Sequence, residues 1–225
     1  MDVFEALNSR ISCRAFLPDP VPRATVEKLL EQAQQAPSGG NLQPWHIFAL
    51  TGTALEDLVG EVHETMKDQP RGETPAYRIY PQGLKQPYFD RRDKCGEDLY
   101  AAINVTREDK QGRLQQFRRN FELFGAPVGL FLYLDKTMGP PQWADAGMFL
   151  QSFMLAARQE GLHTCAQESW SRWPQTVAKH VQPPADLMLF CGIALGHMDV
   201  LAPVNKLRTE RAGVKNFASF KGFSD

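Results

Sequence analysis

Two long, uninterrupted apolar runs constrain the fold of this chain more than any other feature. The first, PVGLFLYL at 127–134, predicts a strand that is buried on both faces, because it lacks the polar alternation of a half-exposed strand. The second, LMLFCGIALG at 187–196, predicts the last strand of the core. Helices and strands mix along the chain without strict βαβ alternation, so the expected class is α+β.

Apolar periodicity supplies the remaining elements. The predicted helices span 2–9, the segment from Pro22 to the breaker APSGG at 36–40, about 55–66, 94–105, 109–123, 141–160 and 173–181. Two further strands are predicted, a buried one at 45–50 and HTCAQ at 163–167. No internal repeat and no linker divides the chain, so we expect a single domain over residues 1–225.

Two segments show no periodicity. Residues 67–93 are rich in Pro, Gly, Tyr and charge, which predicts a long functional or mobile loop. Its aromatic and basic side chains suggest a lid, with Arg91 or Arg92 pairing a substrate carboxylate; a solvated surface loop is the alternative. The C-terminal tail, 205–225, is polar and basic and is expected to be disordered or to lie across another surface.

Composition excludes several function classes. Lys and Arg total 25 against 26 Asp and Glu, so no overall field attracts nucleic acid or a membrane surface. The 4 cysteines are widely spaced, which argues against a zinc site or a disulfide framework and favours reduced thiols. The acidic N-terminus and the absence of a long apolar run predict a cytoplasmic protein. The histidines lie apart with no metal-ligand spacing, so no metal is expected.

The stretch SRISCRAF carries a candidate anion site. If it is extended, Arg10, Ser12 and Arg14 share one face while Ile11 and Cys13 point inward. Two guanidinium groups and a hydroxyl suit a phosphate monoester. A half-exposed edge strand with solvated arginines is the alternative. Two tail arginines, Arg208 and Arg211, could add to the site or could simply be solvated.

A second candidate site is SGGNLQPW at 38–45. Its glycines leave backbone accessible, and Asn41 and Gln43 offer amides to the edge of a planar heterocycle. A plain turn into a strand is the alternative. No dinucleotide-binding glycine motif, phosphate-binding loop or zinc-protease motif is present. Glu168 beside Ser169 lacks the context of a hydrolase nucleophile.

Taken together, these stretches resemble the FMN-dependent nitroreductase family, and most closely its nitrobenzoate-reductase type. The resemblance rests on RISCRAF at 10–16 followed by APSGGNLQPW at 36–45, and it continues through QES at 167–169 to NKLRTER at 205–211. It implies a nitroreductase-like α+β fold with a mostly antiparallel sheet flanked by helices. It also implies an intertwined homodimer with FMN at the interface and the tail wrapped over the partner.

The resemblance also assigns roles to residues. Arg10, Ser12, Arg211 and Arg208 would hold the phosphate, with Ile11 between the first two, and Arg14 would reach the pyrimidine edge of the flavin. Asn41, with Gln43 nearby, would contact the ring from the same subunit. The partner would contribute three residues: Pro37, Ser38 and Gly39. Backbone amides of the stretch after the third strand would face the reactive nitrogen: Gln167, Glu168 and Ser169.

The expected function is an FMN-dependent oxidoreductase that takes hydride from NADH or NADPH and reduces a nitroarene or quinone in a ping-pong cycle. The flavin would carry the chemistry, so no catalytic side chain is expected. Two alternatives remain: another flavin reaction on the same fold, such as dehalogenation, heterocycle dehydrogenation or flavin cleavage, and an FMN-binding protein without turnover.

Overall fold

The computed structural model describes residues 1–223, so the last two residues of the predicted tail lie outside the described residues. Its α-helices are α1 (Val3–Ser9), α2 (Arg23–Ala33), α3 (Gly52–Asp68), α4 (Tyr88–Ala102), α5 (Lys110–Arg118), α6 (Pro140–Gln159) and α7 (Pro174–Val181). The strands are β1 (His46–Thr51), β2 (Val128–Asp135), β3 (His163–Gln167) and β4 (Leu187–Gly196). Short 3₁₀ turns include Gly39–Asn41, Arg119–Gly125, Glu168–Arg172 and Pro203–Lys206.

The four strands form one antiparallel sheet in the order β1-β2-β4-β3. The two apolar runs become its central strands, and β2 is buried along all but its last residue. The predicted α+β class and antiparallel sheet are confirmed. Since two antiparallel neighbours flank each central strand, both faces of β2 and β4 are available for packing.

Apolar side chains cover both faces of the sheet. On one face, α3, the 3₁₀ turns and α7 pack around a cluster centred on Phe131 and Trp170. On the other face, α2 and α6 pack against alternate residues of β2 and β4, with Phe153 and Leu29 buried between them. Alternation of the strand side chains therefore serves two cores at once.

The prediction of a buried strand at 45–50 was wrong in one respect. β1 lies at the edge of the sheet, and His46, Ala49 and Thr51 are exposed. Its apolar side chains are partly buried on both faces, with Phe48 and Leu50 packed against one core and Ile47 against the other. Phe48 lies edge-on to Tyr133 at 5.2 Å between ring centroids.

The predicted loop at 67–93 was too long at both ends. α3 continues to Asp68, and α4 begins at Tyr88 rather than near 94. α4 has no buried residue, so no apolar stripe marks its first turns, and the sequence predicted the helix only from about residue 94. A charge pair one turn apart, Lys94 to Asp98 at 2.7 Å, supports it instead. Among residues 1–223, no helix is both long and apolar enough to cross a membrane.

Candidate functional site

The segment after α1 lies against β3. Ser12 forms a parallel bridge with Thr164, and the N–H of Cys13 donates to the Thr164 carbonyl at 3.0 Å. Extended backbone turns alternate side chains in opposite directions. Cys13 is fully buried and Ile11 half-buried. The three polar residues of the candidate anion site each keep some exposed surface: Arg10, Ser12 and Arg14.

Asn205 joins this segment to the beginning of the tail. Its Oδ1 accepts from the backbone N–H of Arg14 at 2.8 Å, and its Nδ2 donates to the carbonyls of Ala15 at 2.8 Å and Asp199 at 2.9 Å. The side chain is 3% exposed. A buried amide that is satisfied on both sides holds two distant stretches of chain in one register.

Two of the arginines predicted to hold an anion, Arg10 and Arg211, lie close to each other. Burial lowers the pKa of Arg10, and the nearby positive charge of Arg211 lowers it further. Within residues 1–223 none of the four has a carboxylate partner at ion-pair distance: Arg10, Arg14, Arg208 and Arg211. Guanidinium groups held close without an acid favour a bound anion. This arrangement fits the phosphate of FMN.

A cleft of about 250 Å³ opens beside Arg14. It is lined by the end of β3 and the turn after it, Cys165 to Ser169, and by Ile79, Tyr80, Phe117, Asn120 and Arg172. Within residues 1–223, the guanidinium of Arg14 donates only to the Ser12 carbonyl, at 3.3 Å. Among the described residues, the buried Oε1 of Gln167 and Oγ of Ser169 have no hydrogen-bond partner. The cleft therefore offers unused polar groups to a ligand.

The turn that bears these groups is seated on the core. Trp170 is fully buried and packs edge-on against Phe131 at 5.1 Å and Phe121 at 5.7 Å between ring centroids. Gly192 makes room for it, because a Cβ there would lie 2.3 Å from Trp170 Cδ1. The adjacent Ser169 is thus positioned by tight packing beneath it.

The stretch at 37–43 lies apart from the cleft. Gly39 N–H donates to the buried carboxylate of Asp145 at 3.2 Å, which fixes the turn on α6. Asn41 has φ 56° and Gln43 has φ 50°, both in the left-handed region, and both side chains are exposed. None of residues 37–43 lines the cleft. The predicted contacts of Pro37, Ser38, Gly39, Asn41 and Gln43 with the flavin stay predictions.

The predicted lid, 67–93, is held to the rest of the domain by contacts at two points. The Glu73 carboxylate accepts from the Gln175 N–H at 2.6 Å and from the N–H and hydroxyl of Thr176 at 3.1 and 2.6 Å, at the start of α7. Further along, Tyr77 donates its hydroxyl proton to the Phe190 carbonyl and packs against Trp143. These contacts hold residues 79–80 at the cleft.

Sequence reasoning missed Asn120, Phe117 and Arg172 as cleft residues. Gln167 Nε2 donates to the Asn120 carbonyl at 2.7 Å, a contact across 47 positions that no local pattern indicates. Arg172 follows Ser169 by three positions, which was the available signal. Among residues 1–223, no group of three or more potential ligands is arranged to hold a metal ion.

Comparison with known proteins shows the family of the chain. Residues 7–197 match the model of the nitroreductase family. The chain belongs to this family. It is 37% identical over 226 residues to the 4-nitrobenzoate reductase of Pseudomonas putida, covering 99% of this chain and 97% of that one.

Two solved nitroreductases share the fold over nearly the full length. The FMN and NADPH-dependent nitroreductase NfnB of Sphigopyxis sp. strain HMH is 44% identical, with a TM-score of 0.96 and coverage of 99% of this chain and 100% of that one. The FMN-dependent NfnB of Mycobacterium smegmatis, solved in complex with NADPH, is 31% identical with a TM-score of 0.90, over 98% and 100%. The resemblance inferred from the sequence motifs is confirmed.

Proposed function

We propose that this nitroreductase is an FMN-dependent NAD(P)H oxidoreductase that reduces nitroaromatic compounds or quinones. Two observations carry the proposal. Arg10 and Arg211 lie close together, and within residues 1–223 neither has a carboxylate at ion-pair distance. Arg14, on the same segment as Arg10, lines a cleft with unsatisfied polar groups. Relatives named as nitrobenzoate reductase and as FMN and NADPH-dependent nitroreductase support the reaction.

The chain's own residues bind and orient the reactants. Arg10, Ser12 and Arg211 hold the phosphate of FMN, with Arg208 adding positive charge from the tail and Arg14 reaching the pyrimidine edge. The stretch 167–169 presents backbone amides to the ring. FMN supplies the hydride and electron transfer when bound, so no side chain serves as nucleophile or general acid. A single open face of the site serves donor and acceptor in turn, which is ping-pong turnover.

We further propose that the active form is a homodimer. The loop at 37–43 lies outside the cleft of its own chain, which supports a role for Pro37, Ser38 and Gly39 at the partner's cofactor. The N-terminal helix, the segment just before the tail and the tail itself expose large apolar side chains that need a covering surface: Phe4, Leu201, Phe217, Phe220 and Phe223. Deleting 205–225 should therefore weaken dimer and flavin binding together. The unpaired state of all 4 cysteines supports a cytoplasmic location.

Three measurements test the proposal. The purified protein should carry FMN, NADH or NADPH should bleach the flavin anaerobically, and nitrobenzene or a quinone should restore its colour. A flavin that stays oxidised with both nucleotides would indicate a non-catalytic binding protein. Turnover of a halophenol but not of nitroarenes would indicate a different flavin reaction.

A pair of matched substitutions tests the residue roles. Reduction places negative charge near the pyrimidine edge, so a guanidinium there stabilises the reduced cofactor. At roughly 1.5–3 kcal/mol for a charge-assisted hydrogen bond, Arg14→Met should lower the two-electron midpoint potential by about 30–60 mV with little loss of FMN affinity. Arg10→Met should weaken FMN binding and leave the potential nearly unchanged. An unshifted potential in Arg14→Met, measured by spectroelectrochemical titration, contradicts the assignment of these two arginines to different ends of the cofactor.

A further inference from the structure

Arg172 brings an uncommitted guanidinium to the cleft. Its Nη1 donates one long hydrogen bond, 3.4 Å to the Arg71 carbonyl. Its guanidinium carbon lies 5.9 Å from the ring centroid of Phe117, which lines the same cleft. Among residues 1–223 no carboxylate lies at ion-pair distance from it. Most of its donor fork is therefore free for a ligand.

The backbone beneath Arg172 is held firmly. The N–H of Glu73 donates to the Arg172 carbonyl at 2.7 Å, and Gly72 approaches that carbonyl so closely that a Cβ would lie 2.7 Å from it. Glu73 is in turn bonded through its carboxylate to Thr176. The guanidinium thus extends from a fixed turn, which preserves its direction toward the cleft.

The charge of the cleft favours an anion. Arg14 and Arg172 are its two cations and Glu168 is its one acid, giving a net charge of +1. Burial raises the pKa of the Cys165 thiol to about 11, so it remains neutral and adds no negative charge. Phe117 and Tyr80 form aromatic walls. A flat aromatic anion matches these surroundings better than a neutral arene.

The two arginines first suggested by sequence are less well placed. Arg92 stacks over Tyr80 at 5.3 Å and Phe89 at 5.4 Å from the ring centroids. Arg91 lines a separate cavity, where Asp98 and Glu210 supply acids. Neither lines the cleft. Arg92 instead provides a matched control, because it is a nearby arginine that contacts a cleft residue, Tyr80, without lining the cleft itself.

We propose that Arg172 determines specificity in this cleft by pairing the carboxylate of a nitroaromatic acid. The inference rests on the proposed function, which places the cofactor along Arg14 and 167–169 and leaves the Phe117 and Arg172 wall to the substrate. A planar guanidinium fork suits a carboxylate through two parallel hydrogen bonds, which a neutral ring substituent cannot reproduce.

Equilibrium binding of benzoate and benzamide to the FMN-loaded protein tests the proposal without turnover. We expect the unmodified protein to bind benzoate about tenfold or more tighter than benzamide. Arg172→Gln should abolish that preference, Arg172→Lys should retain part of it, and Arg92→Gln should leave it within about twofold. In turnover, Arg172→Gln should raise KM for 4-nitrobenzoate about tenfold and leave KM for nitrobenzene unchanged.

Several outcomes would overturn the assignment. If the unmodified protein binds benzoate and benzamide equally, the assignment is wrong, and this test does not depend on the folding of Arg172→Gln. Equal weakening of both ligands in Arg172→Gln makes the residue structural, and the same loss in Arg92→Gln makes the effect nonspecific. A higher KM for NADPH but not NADH, with the benzoate preference intact, assigns Arg172 to the nucleotide phosphate. Retained FMN and nitrobenzene reduction in any of these cases leaves the proposed function standing.

Discussion

The sheet and the segments that build the site are held together by different forces. The central strands are stabilised by many apolar side chains on two faces, each contributing a modest share. The site segments depend on single polar side chains that hydrogen-bond to backbone groups distant in the sequence. Asn205 holds the N-terminal segment, Asp145 holds the loop at 37–43, and Glu73 holds the lid residues.

This difference separates stability from function. Apolar packing is distributed, so a truncation in the core lowers the free energy of unfolding but leaves the geometry of a distant cleft largely intact. A polar clamp is concentrated, so its loss frees an entire segment while the sheet stays folded. Substitutions in the two regions should therefore affect unfolding and flavin binding in different proportions.

Phe153→Ala should have the largest effect on stability. Phe153 is fully buried between α6 and the sheet, and its truncation should cost about 3–5 kcal/mol of unfolding free energy, roughly 6–20 °C in Tm. FMN affinity of the folded variant should change by less than about threefold. Urea denaturation and flavin titration measure both quantities, and a large loss of affinity in the folded state would remove the proposed separation.

Asn205→Ala should lower the free energy of unfolding less than Phe153→Ala does, and should lower FMN affinity more. Three hydrogen bonds disappear, which leaves the Arg14 N–H without its partner, while the Ala15 carbonyl still accepts from the Asp199 N–H; the expected cost is about 2–4 kcal/mol. The N-terminal segment and the tail arginines should separate, so FMN affinity should fall at least about tenfold. Asn216→Ala, an exposed tail residue, is the control. Equal FMN affinity in the two variants would show that Asn205 does not organise the anion site.

Glu73→Gln should increase the mobility of the lid with little effect on the central sheet. The substitution removes the charge that the first turn of α7 favours, which costs about 1 kcal/mol. Amide hydrogen exchange should rise across 69–80 and stay unchanged in β2 and β4. Glu64→Gln, which removes an exposed partner of Lys67, should change neither region. Unaltered exchange at 69–80 in Glu73→Gln would mean that Tyr77 alone holds the lid.

The smallest expected effect is on the pH dependence of stability. Burial, with the nearby positive charge of Arg158, lowers the pKa of His163 from 6.5 to about 4, and Arg158 Nη1 lies 3.3 Å from its Nδ1. A lowered pKa means that the unfolded chain takes up the proton first, so this contribution is complete above pH 6.5 and is lost as pH falls toward 4. Urea midpoints should decline less steeply over that interval in His163→Gln than in the exposed His46→Gln. Parallel declines would refute the role of His163.

Local pattern was sufficient for much of the fold. The apolar runs at 127–134 and 187–196 became the central strands, and the alternation in SRISCRAF anticipated the burial of Cys13. The first turns of α4, before residue 94, were not predicted because α4 buries no residue, and charge pairs rather than an apolar stripe support this helix. The edge position of β1 depends on strand order, which a strand's own residues do not encode.

The amino-acid sequence by itself determined which segments are apolar enough to form the sheet and which short motifs identify the family, because both are local patterns of side-chain chemistry. Tertiary structure alone decided how the site is assembled. Asn205 reaches Arg14 across 191 positions, and Glu73 reaches Thr176 across 103. Arg172 becomes a cleft residue only when the turn at 168–172, the lid and α5 meet. Hydrogen bonds between such distant residues follow from the packing of whole elements, which no local window of sequence contains.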